Sequence, residues 1–433
     1  MEAPDPQPDR EGLSQARNKL FSAIGASELS PNEKLEMIRD LTQLEQRARQ
    51  GEMGASLPEV RKELQKAYSQ IERLFSDQSK EPNRLEKLSA ARQLARELGD
   101  PSDIDQGVSS DACRMVSAQY RLAVRKPSVV AKVVSDALLE GKVRFGNPQQ
   151  ELALDDRNRK PSSKEALFKG SPHISEERSF ASQLFQVAAM NALGSDQQIV
   201  NEHLHFTRKW NEDNADFNVP NYSKLVFVQT AESRPEADKS GKREAPSRKN
   251  NGMLVYGVNG DNKPVLLANG QRGDGSTQLL LQACSSQKVL DAFDPNAHKE
   301  AVFAHSGMIA YTREGAASEN DGRGMRLFKN EDELRDAVKA AKQKGNLPII
   351  IASRDYSAGP GENIKDIEET LKACESNHSM IIRDYVPEHI DKDGKKVPEH
   401  FVCDDFFGKS YDRKVLPRNE WSNYFMNSEF KKR

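Results

Sequence analysis

No apolar run in the 433 residues approaches the roughly 18–20 that a membrane-spanning helix needs. The first residues, MEAPDPQPDREG, carry proline and acid where a secretory leader would carry a basic start and an apolar stretch. The sequence therefore predicts a cytoplasmic protein with no membrane partner. Cysteine is scarce: Cys113, Cys284, Cys374 and Cys403 form neither a C-x-x-C pair nor a regular framework. That spacing argues against a disulfide-knit scaffold and predicts reduced thiols. An excess of one charge is missing too. The 64 basic and 66 acidic residues leave a net charge of −2, so nothing announces a nucleic-acid partner.

Several site signatures are absent as well. GRGM (322–325) and GDG (273–275) complete neither a dinucleotide-binding loop nor a Walker loop, and there is no G-x-S-x-G elbow. His203 and His205 alternate without a third ligand near them, and the RGD at 272–274 is three residues of a polar turn. Neither a metal nor an organic cofactor is predicted.

What is present divides at about residue 98. A length of 433 suits two or three domains at about 100–200 residues each. Residues 1–12, rich in proline and aspartate, read as a disordered tail. Residues 13–98 read as a helical bundle or coiled-coil-like region. There SPNEKLEMIRDLTQLEQRARQG opens on a capping-box spacing, Ser30 to Glu33, and stripes Leu35, Ile38, Leu41, Leu44 and Ala48 along one face. Ser56 and Glu59 repeat the signal ahead of Val60, Leu64, Ala67 and Ile71. Leu85, Leu88, Ala91, Leu94 and Leu98 form a third stripe that stops at Gly99. These stripes read first as internal packing; self-association or a protein partner is the alternative, as is an inhibitory segment covering a cleft.

Residues 99–433 mix an early helical half with a late strand-rich half, without the strand–helix alternation of a doubly wound sheet: the class is α+β. Helices are predicted at 113–125, 128–140, 177–193 and 331–346, with a further candidate from Ser276. Strands or hairpins are predicted at 143–156, 224–230, 253–267, 347–353, 378–386 and 400–408. Residues 231–251 form a polar inserted loop.

Three pieces of this region combine into one chemistry. Cys113 begins a predicted helix, whose unpaired amides carry partial positive charge and favour thiolate. Gln106, seven residues earlier beside Gly107, can donate from its amide to an oxyanion formed over the sulfur. His378 heads the strand HSMIIRDYV, and FVCDDFFG follows it with Asp404 and Asp405. A carboxylate there, taken as Asp405, can orient the imidazole, giving the order Cys, His, Asp. Each residue alone has a plainer reading: a core thiol, a strand histidine, a solvated turn. Cys403 is predicted to face the sheet interior opposite Asp404, and Cys374 to be packing or surface.

Together these segments resemble the papain-like cysteine peptidase superfamily over about residues 100–410. The matching positions are Gln106-Gly107, Cys113, His378 and the DFFG at 405–408. The Gln-to-Cys gap is one residue longer than in that family, and Arg114 and Phe407 stand where aromatics, the latter tryptophan, are usual. The resemblance implies a helical lobe carrying the nucleophile helix and an antiparallel β lobe carrying His378 and Asp405, preceded by the helical bundle. It implies a thiol hydrolase acting on a polypeptide or amide substrate, with Cys113, His378, Asp405 and Gln106 as catalytic residues. The alternatives are an acyl-transferring or deconjugating enzyme with the same triad, and a non-catalytic module of the same fold that binds partners through its N-terminal helices.

Overall fold

A serine three residues before a glutamate, with proline in the first turn, opens two N-terminal helices as the sequence predicts. In the computed structural model the Glu33 amide donates to Ser30 Oγ (3.3 Å) and the Ser30 amide donates to the Glu33 carboxylate (2.8 Å). Ser56 and Glu59 repeat the pairing, with the Ser56 amide (3.0 Å) and hydroxyl (2.7 Å) both donating to the Glu59 carboxylate. The structure describes residues 7–75, 84–104, 113–146, 150–154, 159–161, 179–194, 225–229, 253–258, 264–266, 286–287, 289–294, 301–305, 326–354, 377–404 and 414–425.

The N-terminal region holds four helices: α1 (Gln7–Ala26), α2 (Pro31–Arg49), α3 (Leu57–Arg73) and α4 (Arg84–Gly99). The helix α1 begins at Gln7, inside the stretch read as a tail. Proline is tolerated in a first turn, where amides have no intrahelical partner. Ala16, Leu20 and Ile24 are buried on this helix, which packs on α3. On α2 the buried face is Met37, Leu41, Leu44 and Ala48, while Leu35 is 66 % exposed. The expected stripe was thus rotated by part of a turn, because two apolar stripes overlap on this helix and only packing selects one. The α3 stripe is buried as expected. Gly99 ends α4 against α2, where an added Cβ would come 2.6 Å from the Asp40 carbonyl oxygen.

A 3-10 turn (Pro101–Asp103) precedes α5 (Cys113–Arg125) and α6 (Pro127–Leu139). Then come the hairpin β1 (Lys142–Phe145) and β2 (Gln150–Ala153), the helix α7 (Phe180–Gly194), and a three-stranded antiparallel sheet of β3 (Leu225–Gln229), β4 (Met253–Val258) and β5 (Pro264–Leu266). The main sheet has six strands: β6 (Val302–His305), β7 (Arg326–Phe328), β8 (Ile349–Arg354), β9 (Asn377–Val386), β12 (His400–Asp404) and β13 (Lys414–Pro417), in the order β13-β12-β9-β8-β6-β7. Between β9 and β12 runs a small hairpin, β10 (His389–Ile390) and β11 (Lys396–Val397). Two more helices, α8 (Glu331–Gln343) and α9 (Arg418–Phe425), complete the described elements.

The chain is thus mixed helix and sheet behind a helical N-terminal region. The expected antiparallel sheet is instead mixed: β6 runs parallel to both β7 and β8, while β8, β9, β12 and β13 pair antiparallel in turn. The physical reason is α8, which carries the chain from β7 across to β8 and supplies the cover a parallel crossover requires. Gly345, at φ +62°, ends that helix.

The two sheet faces belong to two apolar clusters. Val302, Ile350 and Ile381 join the core of α1–α7, which runs without interruption from Ala16. Phe303, Ile349, Ile351, Met380 and Ile382 face the other way, with Leu334 and Val338 of α8 and Trp421 and Phe425 of α9. The helices of residues 13–98 therefore share one core with α5, α6 and α7.

Candidate active site

Cys113 is the first residue of α5, as the sequence predicts. Every residue from Met115 to Arg125 is buried, since α5 is enclosed by α6, α7, the 3-10 turn and the sheet strands β8 and β9. The helix therefore meets the sheet directly, and its position there is set by three polar side chains of its second half.

Two of these are arginines. Arg121 donates to the carbonyls of Asn346 (3.0 Å) and Pro348 and to Asn346 Oδ1 (2.7 Å). Arg125 donates to the Gly345 carbonyl. Both grip the segment that leads into β8. Burial pushes the Arg121 guanidinium down to about 9 and lowers that of Arg125. The third is Tyr120, whose ring lies 5.9 Å from the Arg383 guanidinium carbon. Arg383 in turn stands 3.3 Å from the carboxylate of Asp404, to which the Tyr120 hydroxyl donates.

This trio, buried except for part of Arg383, ties α5, β9 and β12 together. Asp404 has 0 % of its surface exposed and Tyr120 1 %. Burial holds the Tyr120 phenol well above its ordinary range, and the neighbouring Asp404 carboxylate adds to that. Burial works against the Arg383 charge, but Tyr120 and Asp404 outweigh it and raise the guanidinium. Asp404 is thus committed to Arg383 and Tyr120. Cys403, the neighbouring residue, is buried in the opposite cluster with Phe401 and Trp421, so the two residues face opposite sides as expected.

His378 is the second residue of β9, paired with Ser353 of β8. Strand β12 lies beside β9 and antiparallel to it, with Asp404 opposite Ile381. Ile381 is three positions from His378, so β12 ends close to the His378 end of β9. The α5 side chains Tyr120, Arg121 and Arg125 contact these strands near Arg383 and at the Pro348 entry to β8. From Arg125 back to Cys113 the helix spans about 18 Å, close to the length of β9 from Arg383 to His378.

Gln106 and Asp405 lie outside the described residues, as do His203, His205, Cys284, Cys374 and the 231–251 loop. Among the described residues no cluster of three or more His, Cys, Asp or Glu side chains could hold a metal ion, and no helix is long and apolar enough to cross a membrane. A polar cleft of about 470 Å³ opens between α2 and β9, lined by Arg39, Gln43, Arg47, Asp100 and Arg383 among others. It adjoins the Arg383 end of β9 rather than the His378 end.

Sequence reasoning missed the Tyr120–Arg383–Asp404 trio. Its traces were an arginine directly after the apolar run MII and a tyrosine inside an otherwise small and aliphatic helix face, neither of which names a partner. No protein-family model matches the chain, and neither a curated protein nor a solved structure matches it.

Proposed function

We propose that the chain is a papain-like cysteine hydrolase, in the first place a peptidase. The observation that supports this most is the seating of α5, which begins at Cys113, directly on the strand pair that carries His378, with Asp404 of β12 paired to Ile381 on the same strand. In this reading the Cys113 thiolate, favoured by the amides of the first turn of α5, attacks a carbonyl carbon of a peptide or amide. Gln106 and the Cys113 amide donate to the resulting oxyanion. His378 protonates the leaving amine as the tetrahedral species collapses to an acyl-enzyme. It then takes a proton from water, which attacks the acyl carbon and frees the acid. Asp405 accepts from the imidazole and fixes its tautomer; Asp404, engaged by Arg383 and Tyr120, holds the end of β12 instead. An amine arriving in place of water turns the same acyl-enzyme to transfer.

The test is alkylation. Iodoacetamide at neutral pH is expected to label Cys113 in the full chain, with the label lost in Cys113→Ala and slowed by about tenfold or more in His378→Ala, which removes the imidazolium that stabilises the thiolate. Equal labelling of Cys113 with and without His378 overturns the hydrolase and leaves the non-catalytic module.

A further inference from the structure

Glu97 lies in the last turn of α4 with 1 % of its surface exposed, and among the described residues it forms no ion pair. Its carboxyl oxygens meet three neutral groups from beyond its own helix. Ser182 Oγ of α7 (2.9 Å) and Ser179 Oγ, just before α7, donate to one oxygen. Gln119 Nε2 of α5 donates to the other (3.0 Å) and also reaches Ser182 Oγ (3.1 Å). Behind them Gln186 Nε2 donates to Gln119 Oε1 (3.4 Å). From the neighbouring turn of α4, Gln93 accepts from the Phe180 amide at the start of α7 (2.8 Å).

This network accepts either protonation state. An ionised Glu97 receives three hydrogen bonds. A neutral one keeps the bond from Gln119 and gives its own proton to a serine hydroxyl, which needs only to rotate. The two states differ in cost, because the ionised one is a buried charge with no cation bonded to it. The charged neighbours are Arg96 of α4 and Asp103 of the 3-10 turn, and these are bound to each other (2.7 and 3.0 Å); α5 and α7 present only Gln119, Ser179, Ser182 and Gln186.

We propose that Glu97 is a proton-operated latch joining α4 of the N-terminal region to α7 and to α5, the helix that begins at Cys113. The latch is closed with the carboxyl neutral and loosens when it ionises. Burial, opposed by the two serine bonds, pushes the Glu97 carboxyl up to about 7. The folded group holds its proton to higher pH than the unfolded one, so its stabilisation is fully present below the ordinary glutamate range and is lost as pH rises through about 7. As a control on Cys113 the latch rests on the hydrolase reading; as a latch it does not.

Amide hydrogen exchange on the full chain tests it, comparing wild type with Glu97→Gln, which keeps the size and stays neutral. Taking the ratio of the two proteins at one pH cancels the intrinsic exchange rate. At about pH 8 the α5 and α7 amides of the wild type are expected to exchange at least about tenfold faster than those of the variant, and at about pH 4, below the ordinary glutamate range, the ratio is expected to fall to about one. The same ratio at both values overturns the latch. Should Glu97→Gln fail to fold, Ser182→Ala decides, since it removes a donor to the ionised carboxylate. Its transition is expected at higher pH than the wild type's, and an unmoved transition overturns the proposal. Iodoacetamide labelling of Cys113 in the same samples keeps the two readings apart: no His378-dependent labelling beside a pH-dependent exchange ratio sinks the hydrolase and leaves the latch.

Discussion

On the α8–α9 side of the main sheet, Phe401 stacks on Trp421 at 3.9 Å and packs on Phe425, and Cys403 and Ile382 fill the space between strands and helices. On the α5 side, Ile350 and Ile381 share the sheet with Arg383 and Asp404, and Tyr120 of α5 meets both of these polar groups. One face is closed by apolar area, which is worth about 25 cal/mol per Å² whatever its detailed arrangement. The other contains groups that are costly unless each meets its partner. A buried ion pair adds little net stability over a well-packed apolar substitute, yet losing one member strands the other. The α5 side is therefore the one on which the spacing of helix and strands is specified.

That contrast can be broken from either side. Trp421→Ala removes the largest fully buried side chain of the α9 face and should cost about 3–5 kcal/mol of stability in denaturant unfolding; a cost below about 1 kcal/mol would mean the aromatic stack does not hold this face. Next in size, Asp404→Asn leaves the Arg383 charge without its counterion and should cost about 3 kcal/mol by the same measurement. The double change Arg383→Met with Asp404→Leu sharpens the comparison. It should recover most of that loss, to within about 1–2 kcal/mol of wild type, while still altering the rate at which Cys113 is alkylated. Full recovery of both stability and rate would show that the polar trio specifies nothing. The smallest effect concerns the N-terminal region: Leu35→Ala should stay within about 0.5 kcal/mol, whereas Met37→Ala, at a residue 1 % exposed, should cost about 2–5 kcal/mol. The reverse order would restore the stripe read from the sequence.

Much of the local structure was legible because its causes are local. Serine caps with a glutamate three residues on, the Lys126-Pro127 break between α5 and α6, the glycine stops at Gly99 and Gly345, and the β-branched runs of β8 and β9 each act over a few residues. So did the placement of Cys113 at a helix start and of His378 near a strand start. The stripe on α2 was misjudged because Leu35 and Met37 are equally apolar, and only the neighbours of α2 choose between them. The parallel strands β6 and β7 were not legible because strand direction depends on a crossover through α8, not on the strand residues. The trio of Tyr120, Arg383 and Asp404 joins residues up to 284 positions apart, and nothing in FVCDD or in IIRDY names a tyrosine far upstream.

By itself the amino-acid sequence determined the helix and strand content, the helical character of the N-terminal region and the residue types from which a thiol site can be built. These follow from capping, periodicity and turn chemistry, which are properties of neighbours in the chain. The tertiary structure alone decided that the N-terminal helices share one core with α5, that the sheet is mixed, and that Asp404 is bound to Arg383 and Tyr120. Those outcomes turn on which buried charge finds which partner and which apolar face finds cover, and these matters are settled only between residues far apart in sequence.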